Sequence, residues 1–276
     1  MKFKNFLIRL NKHIIHFLRY IYLIKFNKFE IEIVILKSLI KKDFTCFDIG
    51  CCHGSYARLF AKLSKQVYAF EPEKENFDYL KEVMSQKNLK IYNIAISNEK
   101  NTSKLYIPKI NHKKNTGMSS LSQNMNNENF KLNRYNDLVS QKVKTITLDS
   151  FVRKNKIKKI DFIKIDVEGH ELKVLEKTTN ILKNNRPILM IEIIKNTKKK
   201  YKKVFKLMSR YNYLSYYLNR KNLKLNRCSY NDMNKFQSKQ KLLLKNKNFF
   251  DQTYIQNFFF LPEEKNYRLN IFLKKI

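Results

Sequence analysis

The feature of this sequence that most constrains its fold is an alternation of short apolar runs with helical segments that begins at residue 45. Residues 45–49 and 67–70 are apolar runs typical of buried strands, and residues 55–63 between them have helical periodicity. Strands that alternate with helices of about ten to fifteen residues predict a parallel sheet covered on both faces. The sequence therefore predicts an α/β protein.

The same alternation continues to the end of the chain, with one interruption. The stretch 108–142 is rich in Asn and Ser and lacks hydrophobic periodicity, so we expect a long loop there that is functional or unstructured. Asp149 or Ser150 is expected to cap the helix after this loop. The remaining predicted strands are 90–96, 104–107, 143–148, 160–165, 188–194, 213–218 and 255–261, and the remaining helices are 74–85, 171–182 and 200–209.

The first 42 residues are apolar and basic, and charges interrupt them too often for a membrane-spanning helix of roughly twenty apolar residues. They also lack the small-residue cleavage site of a signal peptide. Two interpretations remain: helices packed against the main domain, or a basic amphipathic segment on an anionic membrane. We expect a basic helical extension over 1–42, a main domain over 43–276, and a cytoplasmic protein, with peripheral contact at the inner membrane face as an alternative.

The net charge of +34 permits two interpretations. A basic surface fits nucleic acid, an anionic membrane or an acidic substrate. However, the excess is mostly Lys, spread along the chain together with abundant Asn, Ile, Phe and Tyr, as AT-rich coding alone would produce. The four cysteines, Cys46, Cys51, Cys52 and Cys228, form no C-x-x-C pair, so we expect reduced thiols.

The turn after the first strand has the layout of a nucleotide-like binding site. Gly50 and Gly54 flank a tight turn that opens a helix, and Glu71 ends the next strand, where its carboxylate can accept hydrogen bonds from both hydroxyls of a ribose. The second glycine of the G-x-G-x-x-G pattern is replaced by Cys52, which argues against a dinucleotide. The sequence also has no phosphate-binding G-x-x-x-x-G-K-[ST] loop.

Six runs then follow in a distinctive order and spacing between residues 45 and 195. They are 48–54 (DIGCCHG), 70–72 (FEP), 93–97 (NIAIS), 147–150 (TLDS), 161–171 (DFIKIDVEGHE) and 186–192 (RPILMIE). Together they resemble the motifs of FkbM-type methyltransferases. The resemblance implies a Rossmann-like class I methyltransferase fold, S-adenosyl-L-methionine as methyl donor, and O-methylation of a hydroxyl on a sugar, a glycan or a related metabolite.

By correspondence of motifs, the resemblance also assigns the cofactor contacts. It places Asp48, Gly50 and Gly54 at the amino-acid end of the cofactor, Glu71 at the ribose, and Asn93 and Ala95 near the adenine, with Cys52 a further contact in the turn. The family usually has Ala-Asn where this chain has Cys51-Cys52, which leaves the contacts of the turn open. His53 is expected to fill the turn.

The catalytic candidates cluster in the 161–171 run. Asp166, Glu168 and His170 follow a predicted strand, at the edge where open α/β sheets bind their ligands. We expect His170 or Glu168 to act as the base for a hydroxyl acceptor. The alternatives are a helix-cap role for His170 and a structural role for Asp166. No metal is predicted, although Asp166, Glu168 and Glu192 have the chemistry to share a cation such as magnesium.

Two other functions compete with this one. The positive charge suits a nucleic-acid (RNA) methyltransferase, but 166–169 (DVEG) lacks the aromatic platform that stacks a flipped base. A non-catalytic binding protein on the same fold is the second competitor, and the presence of Gly50, Glu71 and Asp166 argues against it. The loop segment 116–121 (TGMSSL) is expected either to fold over the acceptor or to be an unstructured insert.

Overall fold

A computed structural model describes residues 12–18, 31–122, 137–194, 200–219, 222–244 and 255–265, and it contains two β-sheets. The strands in these residues are β1 Thr45–Ile49, β2 Gln66–Phe70, β3 Leu89–Tyr92, β4 Ala95–Ile96, β5 Asn101–Ile110, β6 Lys113–Lys114, β7 Asp137–Ile146, β8 Phe162–Ile165, β9 Ile188–Glu192, β10 Tyr213–Asn219, β11 Lys224–Arg227 and β12 Asn257–Pro262.

The larger sheet has eight strands in the order β3-β2-β1-β8-β9-β12-β10-β11. Neighbouring strands from β3 to β9 are all parallel, whereas β12 runs antiparallel to both β9 and β10. Strands buried on both faces appear in sequence as continuous apolar runs, and β8 and β9 are buried at every position. The predicted Rossmann-like class I methyltransferase fold, mostly parallel with helices on both faces, is confirmed.

Helices cover both faces of this sheet. One face carries α5 to α8 around a core that includes Phe47, Phe70 and Phe258, and the other carries α2 and α3 around Phe60 and Phe162. The helices are α1 (residues 12–18), α2 Glu32–Leu39, α3 Ser55–Leu63, α4 Lys74–Val83, α5 Leu148–Lys154, α6 Glu171–Glu176, α7 Lys200–Arg210 and α8 Tyr230–Leu244.

The N-terminal segment contributes to the core. Ile33, Leu36 and Leu39 of α2 are buried in the same cluster as Phe60 and Phe162. This helix precedes the expected boundary between residues 42 and 43, and the boundary itself stays a prediction. None of the helices in the described part of the chain has the length and apolar character of a membrane span.

The expectation of one structureless loop over 108–142 is wrong at both ends. β5 extends to Ile110, β7 begins at Asp137, and together with β4 and β6 they form a second sheet in the order β4-β7-β5-β6. Many of the side chains in β5 and β7 are exposed, so these strands lack the apolar periodicity that sequence analysis detects. Residues 123–136 of the expected loop lie outside the described residues.

Two predicted elements are each divided into two in the structure. The strand expected over 90–96 is divided into β3 and β4 at Asn93, whose amide donates to the backbone oxygens of Glu71 (2.9 Å) and Pro72 (3.0 Å). The helix expected over 171–182 ends at Glu176, and a separate π-helical turn follows at Ile181–Asn185.

The expected cap of α5 is also wrong. Thr147 is the capping residue, and its hydroxyl accepts a hydrogen bond from the Ser150 backbone N–H at 3.1 Å. The Asp149 carboxylate instead accepts from the backbone N–H groups of Asn180 (2.9 Å) and Ile181 (3.2 Å), so it stabilises the start of the π-helical turn. The analysis of sequence alone also missed β11 and α8.

Phe151 on α5 is expected to be the most sensitive contact between a helix and the sheet. Its ring makes edge-on contacts with Phe70 (4.8 Å between ring centroids) and Tyr92 (4.9 Å). Phe151→Ala removes a buried ring and leaves a cavity, so we expect it to lower the free energy of unfolding by about 3–5 kcal/mol in urea denaturation. Arg153→Ala, at an exposed position of the same helix, is the control, with an expected change below about 0.5 kcal/mol.

Candidate functional site

A cleft opens at the carboxyl ends of β1, β2 and β8, where the segment 116–121 passes over the edge of the sheet. Its walls combine the turn after β1, the end of β2, the start of β4 and the turn after β8. The lining residues are Ile49, Gly50, Cys52, Phe70, Glu71, Pro72, Ile94, Ala95, Ile96, Leu105, Thr116, Gly117, Ser119, Leu121, Asp166, Val167, Glu168 and His170. Most predicted site residues therefore share one cleft.

Gly50 allows the two turns to approach each other closely. Its φ is +83°, and a Cβ at this position would lie 1.8 Å from the backbone oxygen of Asp166. The backbone N–H groups of Gly50 and Cys51 both donate to the Phe70 carbonyl at 3.1 Å, which fixes the turn after β1 to the end of β2. Only glycine combines this φ with this contact.

Glu71 closes the same turn from the side of β2. Its Oε2 accepts a hydrogen bond from the Cys52 backbone N–H at 2.7 Å, and its Oε1 accepts from the Glu73 N–H at 2.9 Å. A carboxylate has about four acceptor positions, so these hydrogen bonds and one with the Asn76 side chain leave capacity for a ligand. Burial raises the pKa of Glu71 to about 8, in spite of these two backbone donors.

Of the two residues predicted to lie near the adenine, only one lines the cleft. Ala95 lines the cleft together with the apolar side chains of Ile94 and Ile96. Asn93 does not, because both hydrogen bonds of its amide go to the backbone after β2. Its contribution is to hold the turn that carries Glu71.

Three other residues of the predicted site are not among those that line the cleft. Gly54 (φ +75°) begins α3, and a Cβ there would lie 2.6 Å from Leu80 Cδ2, so its role is helix packing. Asp48 is completely buried within β1, and burial raises its pKa to about 6, although the charge of Lys164 opposes this. His53 lies in the turn beyond the lining residues.

The other end of the cleft is acidic. Asp166, Glu168 and His170 all line it, and Glu168 lies in the left-handed region with φ +52°. His170 occupies the cap position of α6 without making a side-chain cap hydrogen bond; its Nε2 lies 2.9 Å from the hydroxyl oxygen of Ser97. The ring is therefore oriented by Ser97.

The segment 116–121 connects to this acidic end. Ser120 is buried, and its hydroxyl donates a 2.7 Å hydrogen bond to the backbone oxygen of Glu168. Ser120 also exchanges two backbone hydrogen bonds with Tyr106 of β5, and the hydroxyl of Thr116 donates to Asn76 of α4 at 3.2 Å. Of the two expectations for this segment, folding over the cleft is the one that matches its observed position.

A buried cation that sequence analysis missed lies beside the acidic residues. Lys164, in the centre of β8, is 2% exposed, and its Nζ donates to Asp166 Oδ2 at 2.8 Å. The same Nζ lies 4.6 Å from the centre of the Tyr56 ring. A charged residue inside an otherwise apolar strand run is the sequence signal that could have revealed it.

The pKa values of the neighbouring carboxyl groups of Asp166 and Glu168 are shifted by their surroundings. Burial acts against the charged form of Asp166, but the charge of Lys164 and hydrogen bonds with the side chains of Glu192 and Lys164 outweigh it, so the pKa of Asp166 is lowered. Burial, together with the charges of Asp166 and Glu171, raises the pKa of Glu168 well above its ordinary value. The pKa values of these two neighbouring carboxyl groups are thus shifted in opposite directions.

Among the described residues, the candidate ligands for a cation are the same two carboxylates together with that of Glu192. Asp166, Glu168 and Glu192 can each bring one oxygen within 4.8 Å of the others, an arrangement that suits a hard cation. Lys164 already places a positive charge against Asp166. The expectation that no metal is used stays a prediction.

The cysteines of the turn are not activated nucleophiles. Burial raises the pKa of Cys52 to about 12 and that of Cys51 further above its ordinary range. Both are free thiols, as are Cys46 and Cys228. Cys52 lines the cleft with φ +46°.

Comparison with known proteins identifies the family. Residues 48–215, more than half of the chain, match the methyltransferase FkbM domain. The chain belongs to the FkbM methyltransferase family. The hexuronic acid methyltransferase AglP of Haloferax volcanii is 28% identical to this FkbM protein over 149 residues, which are 52% of this chain and 54% of the relative. The match thus spans about half the length of each.

Solved structures resemble this FkbM protein more loosely. The methyltransferase FkbM of Methylobacillus flagellatus has a TM-score of 0.46 at 12% identity, covering 81% of this chain and 47% of its own. A methyltransferase from Streptococcus mutans, SMU.1697c, solved with SAH, has a TM-score of 0.41 at 11% identity, covering 84% and 96%.

The contact between Gly50 and Asp166 gives a test of the site architecture. Gly50→Ala forces either the turn or β8 to move, so we expect a loss of about 3 kcal/mol or more in the free energy of unfolding, measured by chemical denaturation. Gly117→Ala is the matched control, because the nearest atom to a Cβ there is 3.7 Å away. Equal effects of the two substitutions would contradict the close approach of the turns.

Proposed function

We propose that this FkbM methyltransferase transfers a methyl group from S-adenosylmethionine to a hydroxyl group of a carbohydrate. The observation that carries the proposal is the composition of the cleft. A buried carboxylate, Glu71, lines the cleft after β2, and Asp166, Glu168 and His170 line it after β8. The first end suits the ribose of the donor, and the second suits a hydroxyl acceptor.

The residues of the donor end fit the proposed cofactor. Gly50 keeps the backbone of the turn free of a side chain, and Glu71 is held in place by Cys52 and Glu73 so that its remaining lone pairs are available. Ile94, Ala95 and Ile96 provide an apolar wall for a flat base. Bound S-adenosylmethionine would supply an activated methyl group on a sulfonium centre.

The acceptor end performs the remaining chemistry in this proposal. The protein has to hold the hydroxyl in line with the methyl group, exclude water and receive a proton as the oxygen becomes alkylated. Asp166, ionised by Lys164, is suited to accept a hydrogen bond from the acceptor. Glu168 is the proposed base, because a carboxylate with a raised pKa binds a proton more strongly once it is ionised.

Two features support a carbohydrate hydroxyl. Adjacent carboxylates are effective acceptors for sugar hydroxyls. These carboxylates also repel a carboxylate on the acceptor. The site therefore favours methylation of a hydroxyl, which gives an ether, over methylation of a carboxylate, which gives an ester. In addition, the relative from Haloferax volcanii is named as a hexuronic acid methyltransferase, which supports a carbohydrate as the acceptor but does not distinguish its hydroxyls from its carboxylate. An RNA acceptor is the alternative that the net charge of +34 favours.

The donor end is tested by cofactor calorimetry. Glu71 is expected to bind ribose as a carboxylate, and its pKa of about 8 means that it is mostly protonated at pH 7 before binding. Binding then releases a proton at pH 7, and affinity rises as the pH increases towards 8. We expect Glu71→Gln to lower affinity for S-adenosylmethionine by about tenfold or more and to abolish proton release.

The control for this experiment is Glu75→Gln. Its carboxylate is 68% exposed, lies in the first turn of α4 and forms an ion pair with Lys114. It is expected to bind the cofactor like the parent. A parent protein that does not bind S-adenosylmethionine would contradict the proposed function, and unchanged proton release in Glu71→Gln would contradict the role of Glu71 alone.

The base and the acceptor are tested together by methyl transfer. Glu168→Gln is expected to lower kcat by about a hundredfold or more, while cofactor affinity is retained, and to remove the rise of kcat with pH. Glu176→Gln, a partly exposed carboxylate at the end of α6, is the control. A rise in KM with unchanged kcat in Glu168→Gln would contradict the role of Glu168 as the base.

The acceptor class is identified with radiolabelled methyl groups on neutral sugars, uronic acids and RNA. Alkali separates the products, because a methyl ester hydrolyses and a methyl ether does not. We expect alkali-stable label on a neutral sugar hydroxyl. Alkali-labile label would show methylation of a carboxylate, and label on RNA would replace the carbohydrate proposal.

A further inference from the structure

Helix α1 packs against the protein through its polar side. Lys12 Nζ donates to Glu82 Oε2 at 2.8 Å, and His16 Nδ1 lies 3.2 Å from the hydroxyl oxygen of Tyr79. The rings of His16 and Tyr79 also meet edge-on at 5.6 Å, and His16 is only 4% exposed. Both contacts are on α4, so α1 is fixed to the outside of the domain by polar and aromatic contacts.

The opposite side of α1 is apolar and faces solvent. Ile14, Ile15, Phe17 and Leu18 are 46%, 60%, 51% and 56% exposed. Their spacing of one, three and four residues places them on adjoining parts of one helical surface. These four side chains account for most of the strongly exposed large apolar residues in the described part of the chain. The helix is thus inverted relative to an ordinary surface helix, whose apolar side faces the core.

A second protein chain is a poor fit to this surface. A stable interface buries about 800 Å² on each partner, about twice what four half-exposed side chains supply. An anionic bilayer needs no matching shape, because apolar side chains enter the boundary between headgroups and acyl chains while basic residues bind the headgroups. The first 30 residues contain seven Lys and Arg residues and a single acidic residue, Glu30.

We propose that α1 binds the surface of an anionic membrane, with Ile14, Ile15, Phe17 and Leu18 inserted at the interface and the net positive charge of the chain supplying electrostatic attraction to the headgroups. This is peripheral binding by the apolar face of a docked helix. It does not depend on the identity of the methyl acceptor or on methyl transfer itself.

The proposal is tested by flotation of the full chain with lipid vesicles. One set contains phosphatidylcholine alone, and the other contains phosphatidylcholine and phosphatidylglycerol in equal amounts. We expect binding to the anionic vesicles that weakens as salt increases, since screening reduces the attraction between Lys or Arg and the headgroups. Little binding to phosphatidylcholine alone is expected.

Substitutions separate the apolar contribution from the general positive charge. Ile15→Ser combined with Leu18→Ser leaves Lys12, His16 and the net charge unchanged, so α1 remains docked while its apolar face is reduced. We expect the partition coefficient on anionic vesicles to fall by about tenfold or more. Ile110→Ser, at a 39% exposed apolar position on β5, is the matched control and is expected to bind like the parent.

Three results would overturn the proposal. The first is absence of vesicle binding by the parent. The second is equal binding by the double variant and the parent, which would leave nonspecific charge as the cause. The third is concentration-dependent dimerisation that the double variant abolishes in the absence of lipid, measured by light scattering, which would assign the face to a second copy. Thermal unfolding of each variant establishes that it is folded.

Discussion

The site depends on one buried cation. Lys164 is the only charged residue of β8, and its neighbours across and along the sheet include Asp48 and Asp166. Without its charge, a half-buried carboxylate at Asp166 would face other acidic groups with no cation beside it. The acidic end of the cleft is therefore stable because the strand beneath it contains a lysine, which is itself held over the Tyr56 ring.

Much of the fold was predictable because it follows from burial. β1, β8 and β9 are buried on both faces, and that environment produces the continuous apolar runs from which a parallel sheet was inferred. The second sheet was not predictable, because β5 and β7 expose many side chains and pair across an intervening segment. The cap of α5 was misassigned for a similar reason: Asp149 has a distant partner at Asn180 that local sequence does not reveal.

The features of the site likewise divide into those that the sequence predicts and those that only the folded chain shows. Gly50, Glu71 and Asp166 were predictable because each lies at a strand end in a recognisable run. Ser97 and Ser120 also lie in runs that the sequence singled out, but their contacts with His170 and Glu168 were not predictable, since they join residues 73 and 48 positions apart. Their hydroxyl groups have ordinary local surroundings in sequence, and only the folded chain brings them to the acidic end.

The close approach of Gly50 to the Asp166 carbonyl has a consequence for how such an enzyme can diversify. The backbones of the turn after β1 and the turn after β8 are in contact, so neither can be reshaped without disturbing the other. The segment 116–121 is attached mainly by hydrogen bonds from Thr116 and Ser120 and by its pairing with β5. Libraries intended to alter acceptor preference are therefore best confined to Gly117, Ser119 and Leu121, where side chains border the cleft while the interlocked turns stay intact.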